Sequence, residues 1–231
     1  MKYLKKIETE NDIHLVTGRP NLVLINETKR VVYNVPVEGV YIQHVNGKLY
    51  TSAEWGEKMF SEEEANGVAV YDSRASFVIS KTQLGVSRWY PEAVLLDCFV
   101  GSETNARLDY GGVVNTEVIY VKDGSDNAAT KCVDFIFPNG SAGYLPALGE
   151  WVVAYEYKQK IDEALTLIGA DAIKVTADNY AYMWSSSQKD EYNTWLWSWL
   201  NGGAIYQRKS SFYSGYIDFY VRPFGELVIA I

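Results

Sequence analysis

The sequence predicts an α+β protein whose sheet is antiparallel, and three observations lead to this fold class. Short apolar runs separated by turn residues, which are typical of strands, occur near both ends of the chain. Between them lie segments with helical periodicity, of which residues 148–168 are the longest. Strands and helices do not alternate along the chain, so a doubly wound parallel sheet is disfavoured.

The first 60 residues are predicted to be a small β-rich segment. Apolar runs within residues 21–35 predict one β-hairpin. Runs within residues 39–51 predict a second, because the Asn-Gly pair that ends at Gly47 favours a tight turn. The segment is too small and too thinly apolar to hold a core alone. We therefore expect residues 1–60 to dock on the rest of the chain, on another copy of it or on a larger assembly.

The remainder, residues 61–231, is predicted to form the main domain. Helical patterns begin just before it and recur within it, over residues 52–65, 126–135 and 148–168. A strand pair is expected within residues 67–80, whereas the stretch 85–126 contains several turn signals and is expected to be loop-rich. Gly169 stands where a C-terminal helix cap belongs. Short strands are expected after the long helix, over residues 181–186, 194–200, 204–207, 220–224 and 227–231.

The composition limits the classes of function. The chain has 231 residues, a formal net charge of −8 and no dense run of lysine and arginine, so a nucleic acid is disfavoured as a partner. No stretch reaches about 18 consecutive apolar residues, so no membrane insertion is expected. The N-terminal residues lack the apolar core of a signal peptide, which predicts synthesis and first folding in a cytoplasm.

Residues that could support catalysis or bind a metal are sparse. The two cysteines, Cys98 and Cys132, and the two histidines, His14 and His44, are far apart in sequence and lack the spacing of metal ligands. Two reduced, buried thiols are the favoured interpretation of the cysteines, with one disulfide as the alternative. Motifs of nucleotide-binding proteins, zinc proteases and serine hydrolases are absent. The sequence therefore predicts no catalytic residues, no metal and no cofactor.

Three motifs occur in order in the second half of the chain. The first is Gly143-Tyr-Leu-Pro-Ala-Leu-Gly-Glu-Trp151, the second is Tyr182-Met-Trp-Ser-Ser-Ser187 followed by Trp195, and the third is Tyr220-Val-Arg-Pro-Phe224. Together they resemble the C-type-lectin-fold domains of the formylglycine-generating-enzyme branch. More narrowly, they resemble the variable proteins of diversity-generating retroelements in gut phages and Bacteroidales. The resemblance covers about residues 65–231.

The resemblance implies a fold and a non-catalytic function. The expected C-type lectin fold has two helices and a twisted antiparallel sheet, preceded here by the β-rich N-terminal segment. Relatives are phage receptor-binding tips and bacterial surface adhesins. The expected protein is therefore a virion component, made in the host cytoplasm, that contacts a host-surface protein or glycan receptor, and the bacterial cytoplasm or surface is the alternative location. Other virion proteins are expected partners of residues 1–60, and a homotrimer is expected by analogy.

Two departures from these relatives narrow the function. The segment Phe137-Pro-Asn139 lacks the carboxylate with which sugar-binding C-type lectins ligate calcium, and no Trp-Asn-Asp motif is present. No cysteine follows Cys132, whereas formylglycine-generating enzymes use a cysteine pair in their C-terminal part. Calcium-dependent sugar binding and thiol catalysis are both disfavoured. An enzyme of that kind and a fixed-sequence structural or adhesion module remain the alternative functions.

The expected ligand-binding surface lies between the second and third motifs, at about residues 188–219, which retroelement-targeted relatives diversify. This stretch is rich in tyrosine, tryptophan, serine and glycine, which in binding loops supply large contact areas and adaptable hydrogen bonds. The candidate ligand-binding residues are Tyr192, Asn193, Trp197, Trp199, Asn201, Tyr206, Ser210, Ser211, Phe212, Tyr213, Tyr216, Asp218 and Phe219.

The tryptophans of this stretch allow two interpretations. Strand alternation places Trp195, Trp197 and Trp199 on one face and the residues between them on the other. If the other face is core, three tryptophans lie exposed in a row and require a binding partner. If the tryptophan face is core, the stripe is structural. The sequence alone leaves both interpretations open.

Overall fold

The structure is a computed structural model that describes residues 3–9, 12–13, 32–122, 126–173, 182–209 and 219–230. The strands in these ranges are β1 (Tyr3–Thr9), β2 (Asp12–Ile13), β3 (Val32–Pro36), β4 (Gly39–His44), β5 (Leu49–Tyr50), β6 (Ala65–Tyr71), β7 (Phe77–Ile79), β8 (Val86–Ser87), β9 (Tyr182–Gln188), β10 (Asn193–Ser198), β11 (Ala204–Arg208), β12 (Phe219–Tyr220) and β13 (Phe224–Glu226). The helices are α1 (Ser52–Lys58), α2 (Glu103–Ala106), α3 (Gly112–Lys122), α4 (Ala128–Asp134), α5 (Leu148–Glu156) and α6 (Lys158–Leu167). The mixed α and β composition is confirmed, but the described residues contain six helices where the resemblance implied two.

The first five-stranded sheet has the strand order β13-β7-β6-β4-β5 and is antiparallel. The strand pair predicted within residues 67–80 is β6 with β7, and the hairpin predicted within residues 39–51 is β4 with β5. Gly67 lets β6 and β7 approach, because a Cβ there would lie 2.4 Å from the Ile79 carbonyl oxygen. Since β4 pairs with β6, the predicted division at residue 60 falls inside this sheet, and β4, β5 and α1 belong to the main folded unit.

The second five-stranded sheet has the strand order β11-β10-β9-β12-β8. Its strands pair in antiparallel fashion, except that β12 is parallel to β9. Both faces of its central part are buried. One apolar cluster contains Trp195 and Trp197 of β10 and Trp199 of the turn that follows, and a second cluster contains Leu196. At one edge lies β11, whose last three residues have exposed side chains.

A third, three-stranded sheet has the order β2-β1-β3, with β1 antiparallel to both neighbours. Most of the hairpin that was predicted within residues 21–35 lies outside the described residues. Its final residues form β3, which pairs with β1.

The long helix predicted over residues 148–168 is divided into α5 and α6, which meet at Tyr157. Tyr157 has φ −101° and ψ 11°, which are not helical values. Its hydroxyl donates a 3.0 Å hydrogen bond to Asp72 Oδ2, so the break contacts the chain that leaves β6. Gly169, with φ 60°, follows α6 in the left-handed conformation expected of a helix cap.

The stretch 85–126 is loop-rich, as predicted, but it also contains two helices, α2 and α3, that the sequence pattern did not predict. The buried positions of α3 include the polar residues Asn115 and Thr116, whereas Val114 and Val121 are exposed. Apolar periodicity detects a helix only when its buried face is apolar. The buried face of α3 mixes polar with apolar residues, and exposed valines lie on its other side, so the sequence gave no helical signal.

Two predicted elements have different boundaries in the structure. The helix predicted over residues 52–65 ends earlier, because Met59 adopts the left-handed conformation with φ 53°. The strand predicted over residues 227–231 is not formed by its described residues. That segment is held instead by hydrogen bonds such as the one that Gln43 Nε2 donates to the Val228 carbonyl at 2.7 Å.

The three sequence motifs meet in the interior. The Leu148 amide donates a 2.9 Å hydrogen bond to Ser187 Oγ, which connects the first motif to the second. Tyr144 and Phe224 exchange backbone hydrogen bonds of 2.7 and 3.0 Å, which connect the first motif to the third. Arg222 is buried and donates to two backbone carbonyls. The motifs therefore build the scaffold beneath the candidate surface.

Candidate ligand-binding surface

The candidate surface lies at the β11 edge of the second sheet, on the face that carries the tryptophans. The register pairs Tyr206 of β11 with Trp195 of β10, so both side chains lie on this face. Their rings meet edge to face with centroids 5.7 Å apart. Tyr206 is 51% exposed and Trp195 is 4% exposed. The tyrosine is therefore the accessible member of a ring pair whose other member belongs to the core.

The turn between β9 and β10 presents a second accessible ring, Tyr192, which is 53% exposed. Asp190 holds this turn, because its Oδ1 accepts hydrogen bonds from the amides of Tyr192 and Asn193 at 2.9 and 2.8 Å. Partial burial raises the pKa of Asp190, but the hydrogen bonds from Asn193 and Tyr192 outweigh it and lower the pKa to about 2. The carboxylate is therefore ionised at neutral pH and keeps the turn closed.

The tryptophan stripe belongs to the core. Trp197 is 1% exposed and Trp199 is fully buried. Both rings meet Tyr155 of α5 edge to face, with centroids 5.6 and 5.8 Å away. Of the two interpretations of the stripe, the structure therefore shows the structural one. Trp197 and Trp199 lie beneath the candidate surface. Neither ring is exposed, as a residue that contacts a ligand would have to be.

The remaining predicted ligand contacts either form hydrogen bonds within turns, pack against a core ring or lie outside the described residues. Asn193 Nδ2 donates to both carboxylate oxygens of Asp190 at 2.9 Å, and Asn201 Oδ1 accepts a 3.0 Å hydrogen bond from the turn between β10 and β11. Phe219 is half-buried and packs against Trp184 with ring centroids 4.9 Å apart. The predicted residues that lie outside the described ranges are Ser210, Ser211, Phe212, Tyr213, Tyr216 and Asp218.

Two cations that were not predicted lie beside these rings. The Arg107 guanidinium carbon is 5.3 Å from the centroid of the Trp197 ring, and Lys189 Nζ is 4.1 Å from that of Tyr206. Arg107 is brought here because the Val100 amide donates a 2.9 Å hydrogen bond to the last carbonyl of β9, which places the segment before α2 beside the sheet. No sequence pattern could indicate this contact, since the two segments are far apart in the chain.

Two indole N–H groups at this site have no acceptor. Nε1 of Trp195 and Nε1 of Trp197 are buried and lack a hydrogen-bond partner. The neighbouring Trp199 Nε1, in contrast, donates to Asp162 Oδ1 at 3.2 Å. Buried donors without a partner are rare in folded proteins, and each needs an explanation. We call this site the Tyr206 surface: its accessible members are Tyr192, Tyr206, Lys189 and Arg107, and the core rings Trp195 and Trp197 lie beneath them.

Matched substitutions of Trp197 and Trp199 test whether only one of the two indole N–H groups donates a hydrogen bond. We expect Trp199→Phe to lower the free energy of unfolding by about 1 kcal/mol more than Trp197→Phe, because only Trp199→Phe removes a hydrogen bond. Both substitutions remove the same volume from the same apolar cluster, so the costs of the cavities are similar. Urea denaturation followed by circular dichroism measures the difference. A larger loss for Trp197→Phe would contradict the unpaired state of its N–H.

The cysteines are poorly suited to nucleophilic chemistry. Both are free and buried, so the structure shows two reduced thiols and no disulfide between them. Burial raises the pKa of Cys98 to about 12 and that of Cys132 well above its usual range. Both thiols are therefore protonated at neutral pH. Among the described residues, no group of three His, Cys, Asp or Glu side chains could hold a metal ion.

Within the ranges that the structure covers, no helix is long and apolar enough to cross a membrane. Comparisons with protein-family models, with curated proteins and with solved structures find no match to the chain.

Proposed function

We propose that the protein is a non-catalytic binding protein that presents the Tyr206 surface to a receptor on a host cell. The observation that carries this proposal is a pair of half-exposed rings on one sheet: Tyr206 lies on the edge strand β11 and Tyr192 in the turn between β9 and β10, and the central part of the sheet is buried on both faces. Tyrosine supplies a large contact area at a small cost in side-chain entropy. Residues on a rigid strand keep their positions without the ligand, which reduces the entropy lost on binding.

The proposed setting is a virion component with a C-type lectin fold. A contact between the first two motifs supports this fold, since the Ser186 amide donates to the Pro146 carbonyl at 2.8 Å. Ser187 Oγ also donates to Asp109 Oδ2, outside the motifs, at 2.6 Å. These bonds fasten the serine-rich strand to the segments before α3 and α5. A host-surface protein or glycan as receptor, virion proteins as partners of residues 1–60 and a homotrimer belong to the same proposal.

The buried acid of the first motif supports a structural role over a catalytic one. Glu150 is 5% exposed. Its Oε2 accepts a 2.7 Å hydrogen bond from the Ala147 amide and its Oε1 accepts a 2.9 Å bond from the Tyr144 hydroxyl. The carboxyl group thus caps the first turn of α5, which accounts for a buried acid without any chemistry. Together with the two protonated thiols, this favours the binding function over the formylglycine-generating type of enzyme.

Alanine substitution at the exposed ring tests the proposal. We expect Tyr206→Ala to reduce binding of the fluorescently labelled protein to intact gut Bacteroidales cells at least about tenfold, because a central aromatic contact is typically worth about 2 kcal/mol or more. Tyr120→Ala on α3 is the control, since Tyr120 is also exposed but lies outside the Tyr206 surface. Flow cytometry over a panel of strains measures binding, and thermal unfolding checks the fold. Equal losses in both variants, or a loss accompanied by a drop in melting temperature, would contradict the proposal.

Diversification of residues 188–219 is a separable part of the proposal. Two of the predicted contacts, Trp197 and Trp199, are core residues, which favours the fixed-sequence alternative for that part of the stretch. Sequencing the genomic neighbourhood decides between the two. A reverse-transcriptase gene with a near-identical template repeat is expected for a diversified protein, and the absence of both would remove this part.

A further inference from the structure

We propose that the outer edge of β11 binds an extended segment of a receptor protein, which joins the second sheet as a sixth strand and places an acidic side chain beside Arg208. This inference rests on the proposed binding function. It specifies that the receptor is a protein and that hydrogen bonds between backbones hold it. The observations that lead to it are the length of this edge, the direction of its backbone groups and the charge beside it.

Among the edge strands of the two five-stranded sheets, β11 is the longest. It has five residues, whereas the other edge strands, β5, β8 and β13, have two, two and three. Proteins commonly shorten or bulge the edge strands that must not pair with another chain, or place proline or charged residues in them. The strand β11 contains no proline, its register with β10 has no bulge, and its one charged residue is the last. Its edge is therefore suited to pairing.

The hydrogen bonds between β10 and β11 fix which residues of β11 face inward. At one end the Ser198 amide donates to the Gly203 carbonyl at 2.9 Å, and at the other the Lys209 amide donates to the Tyr192 carbonyl at 3.0 Å. Residues along an antiparallel strand alternate between facing one neighbouring strand and facing the other. Since the register between these two bonds is unbroken, the odd-numbered residues from 203 to 209 face β10.

The even-numbered residues of β11 therefore turn their backbone groups outward. These residues are Ala204, Tyr206 and Arg208, whose N–H and C=O groups point away from β10. Among the described strands, β11 pairs with β10 alone. The side chains of its last three residues are exposed, so a partner can approach this end of the strand. An extended peptide would pair with the outward groups and continue the sheet.

The side chains along this edge indicate the chemistry of the partner. Tyr206 and Arg208 lie on the same face of β11, two residues apart, and both are exposed. Lys189 Nζ lies 4.1 Å from the centroid of the Tyr206 ring and is paired with Asp190 at 3.2 Å. Arg208, in contrast, forms no ion pair with a carboxylate of the described residues, including Glu191 of the nearby turn. Opposite charges on facing residues stabilise strand pairing, so the added strand should place an acidic residue beside Arg208.

A second copy of this chain fits the edge less well than such a segment. Two copies related by a two-fold axis would pair β11 with β11 in antiparallel fashion. If this pairing is centred on Tyr206, the two Lys189 side chains meet, because each lies over a Tyr206 ring. Like charges that face each other weaken strand pairing, and each copy also carries a formal net charge of −8. Charge therefore favours an acidic segment of another protein.

Proline substitutions test the backbone pairing, because proline lacks an N–H and is tolerated in an edge strand where that group points outward. We expect Arg208→Ala to weaken binding of the fluorescently labelled full chain to intact gut Bacteroidales cells by up to about fivefold, through loss of the charge. Arg208→Pro should weaken it about tenfold more, because it also removes a backbone donor. Flow cytometry measures both variants, and Ala204→Pro, which also removes an outward N–H, replaces Arg208→Pro if that variant does not fold.

Gln207→Pro is the matched control for the direction of the N–H. Its N–H faces β10, so this substitution should lower the melting temperature by several degrees, whereas Arg208→Pro should leave it close to that of Arg208→Ala. Unchanged stability of Gln207→Pro, or unfolding of both Arg208→Pro and Ala204→Pro, would show that the outward groups are assigned wrongly and would overturn the inference.

Treatment of the cells tests whether the receptor is a protein. We expect proteinase K to abolish binding and mild periodate oxidation, which destroys glycans, to leave it unchanged. The opposite result would identify a glycan as the receptor and would overturn the inference. Light scattering during size-exclusion chromatography tests for a second copy, and a dimer that Arg208→Pro dissociates would overturn it as well.

The same measurements separate this inference from the proposed function. Equal binding of folded Arg208→Pro and Arg208→Ala would exclude strand addition, while the proposed function would stand if Tyr206→Ala still reduces attachment to cells. If the unmodified chain binds no strain of the panel, the inference and the proposed function both fail.

Discussion

Replacing Gly149 with alanine is expected to lower the free energy of unfolding by about 3 kcal/mol, the upper part of the range for overpacking a core. A Cβ at this position would lie 2.5 Å from the Asp109 carbonyl oxygen and 2.8 Å from the Tyr110 ring. The carbonyl cannot withdraw freely, because it accepts a 2.9 Å hydrogen bond from the Gly149 amide itself. The contact would therefore push apart the first turn of α5 and the segment that leads from Arg107 into α3.

Gly56→Ala provides the matched control, because Gly56 is also helical but a Cβ there would meet no atom within 4 Å. Alanine is favoured over glycine inside a helix, so this substitution should stabilise the protein by about 0.5–1 kcal/mol. Urea denaturation of both variants gives the two free energies. Similar stabilities of the two variants would contradict the close approach at Gly149, whereas opposite signs would confirm it. Because Arg107 precedes the displaced segment, Gly149→Ala should also weaken any ligand of the Tyr206 surface.

Glu150→Gln is expected to remove a pH dependence of stability. Burial raises the pKa of Glu150 from 4.5 to about 8, against the opposing effect of the hydrogen bonds from Ala147 and Tyr144. An acid whose pKa is higher in the folded state binds its proton more tightly there. Its contribution to stability is therefore complete below pH 4.5 and is lost as the pH rises towards 8. We expect the wild type to lose stability relative to the variant over this interval, on the order of a few kcal/mol.

The glutamine is suited to the test because its oxygen can accept from the Ala147 amide while its NH₂ donates to the Tyr144 oxygen. Denaturant unfolding at pH 5 and at pH 8 measures the difference between wild type and variant, in which all other titrating groups cancel. Glu117→Gln, on the exposed side of α3, is the control and should retain the wild-type pH dependence. Parallel curves for wild type and Glu150→Gln would mean that Glu150 folds as a carboxylate.

The sequence was sufficient where local pattern and tertiary packing agree. The periodicity of residues 148–168 predicted helix, and only the break at Tyr157, which depends on a contact with distant Asp72, was missed. The strand pairs β4 with β5 and β6 with β7 followed from alternation and turn residues. The helix α3 was missed because its buried face is partly polar, with Asn115 donating to Asp109 and Ser186 from that face.

The candidate surface could be predicted only in part. Tyr192 and Tyr206 were indicated by composition and by their place after the serine-rich motif, and both are exposed. The face of β10 could not be chosen from sequence, since a sheet buried on both faces gives no alternation of polarity. Arg107 and Lys189 could not be indicated at all, because their positions over the rings depend on how the segment before α2 lies along β9.

The last two described strands, β12 and β13, each complete one of the two large sheets. Both sheets therefore depend on residues that are synthesised late. Only residues 221–223 separate β12 from β13, yet β12 lies between β9 and β8 in one sheet while β13 pairs with β7 at the edge of the other. On the ribosome, β7, β8 and β9 emerge before residues 219–226, so the strand edges that pair with β12 and β13 stay unpaired until these residues leave the exit tunnel. The nascent chain should therefore remain sensitive to proteases and to chaperone binding until then, and both sheets should become protected in a single late step.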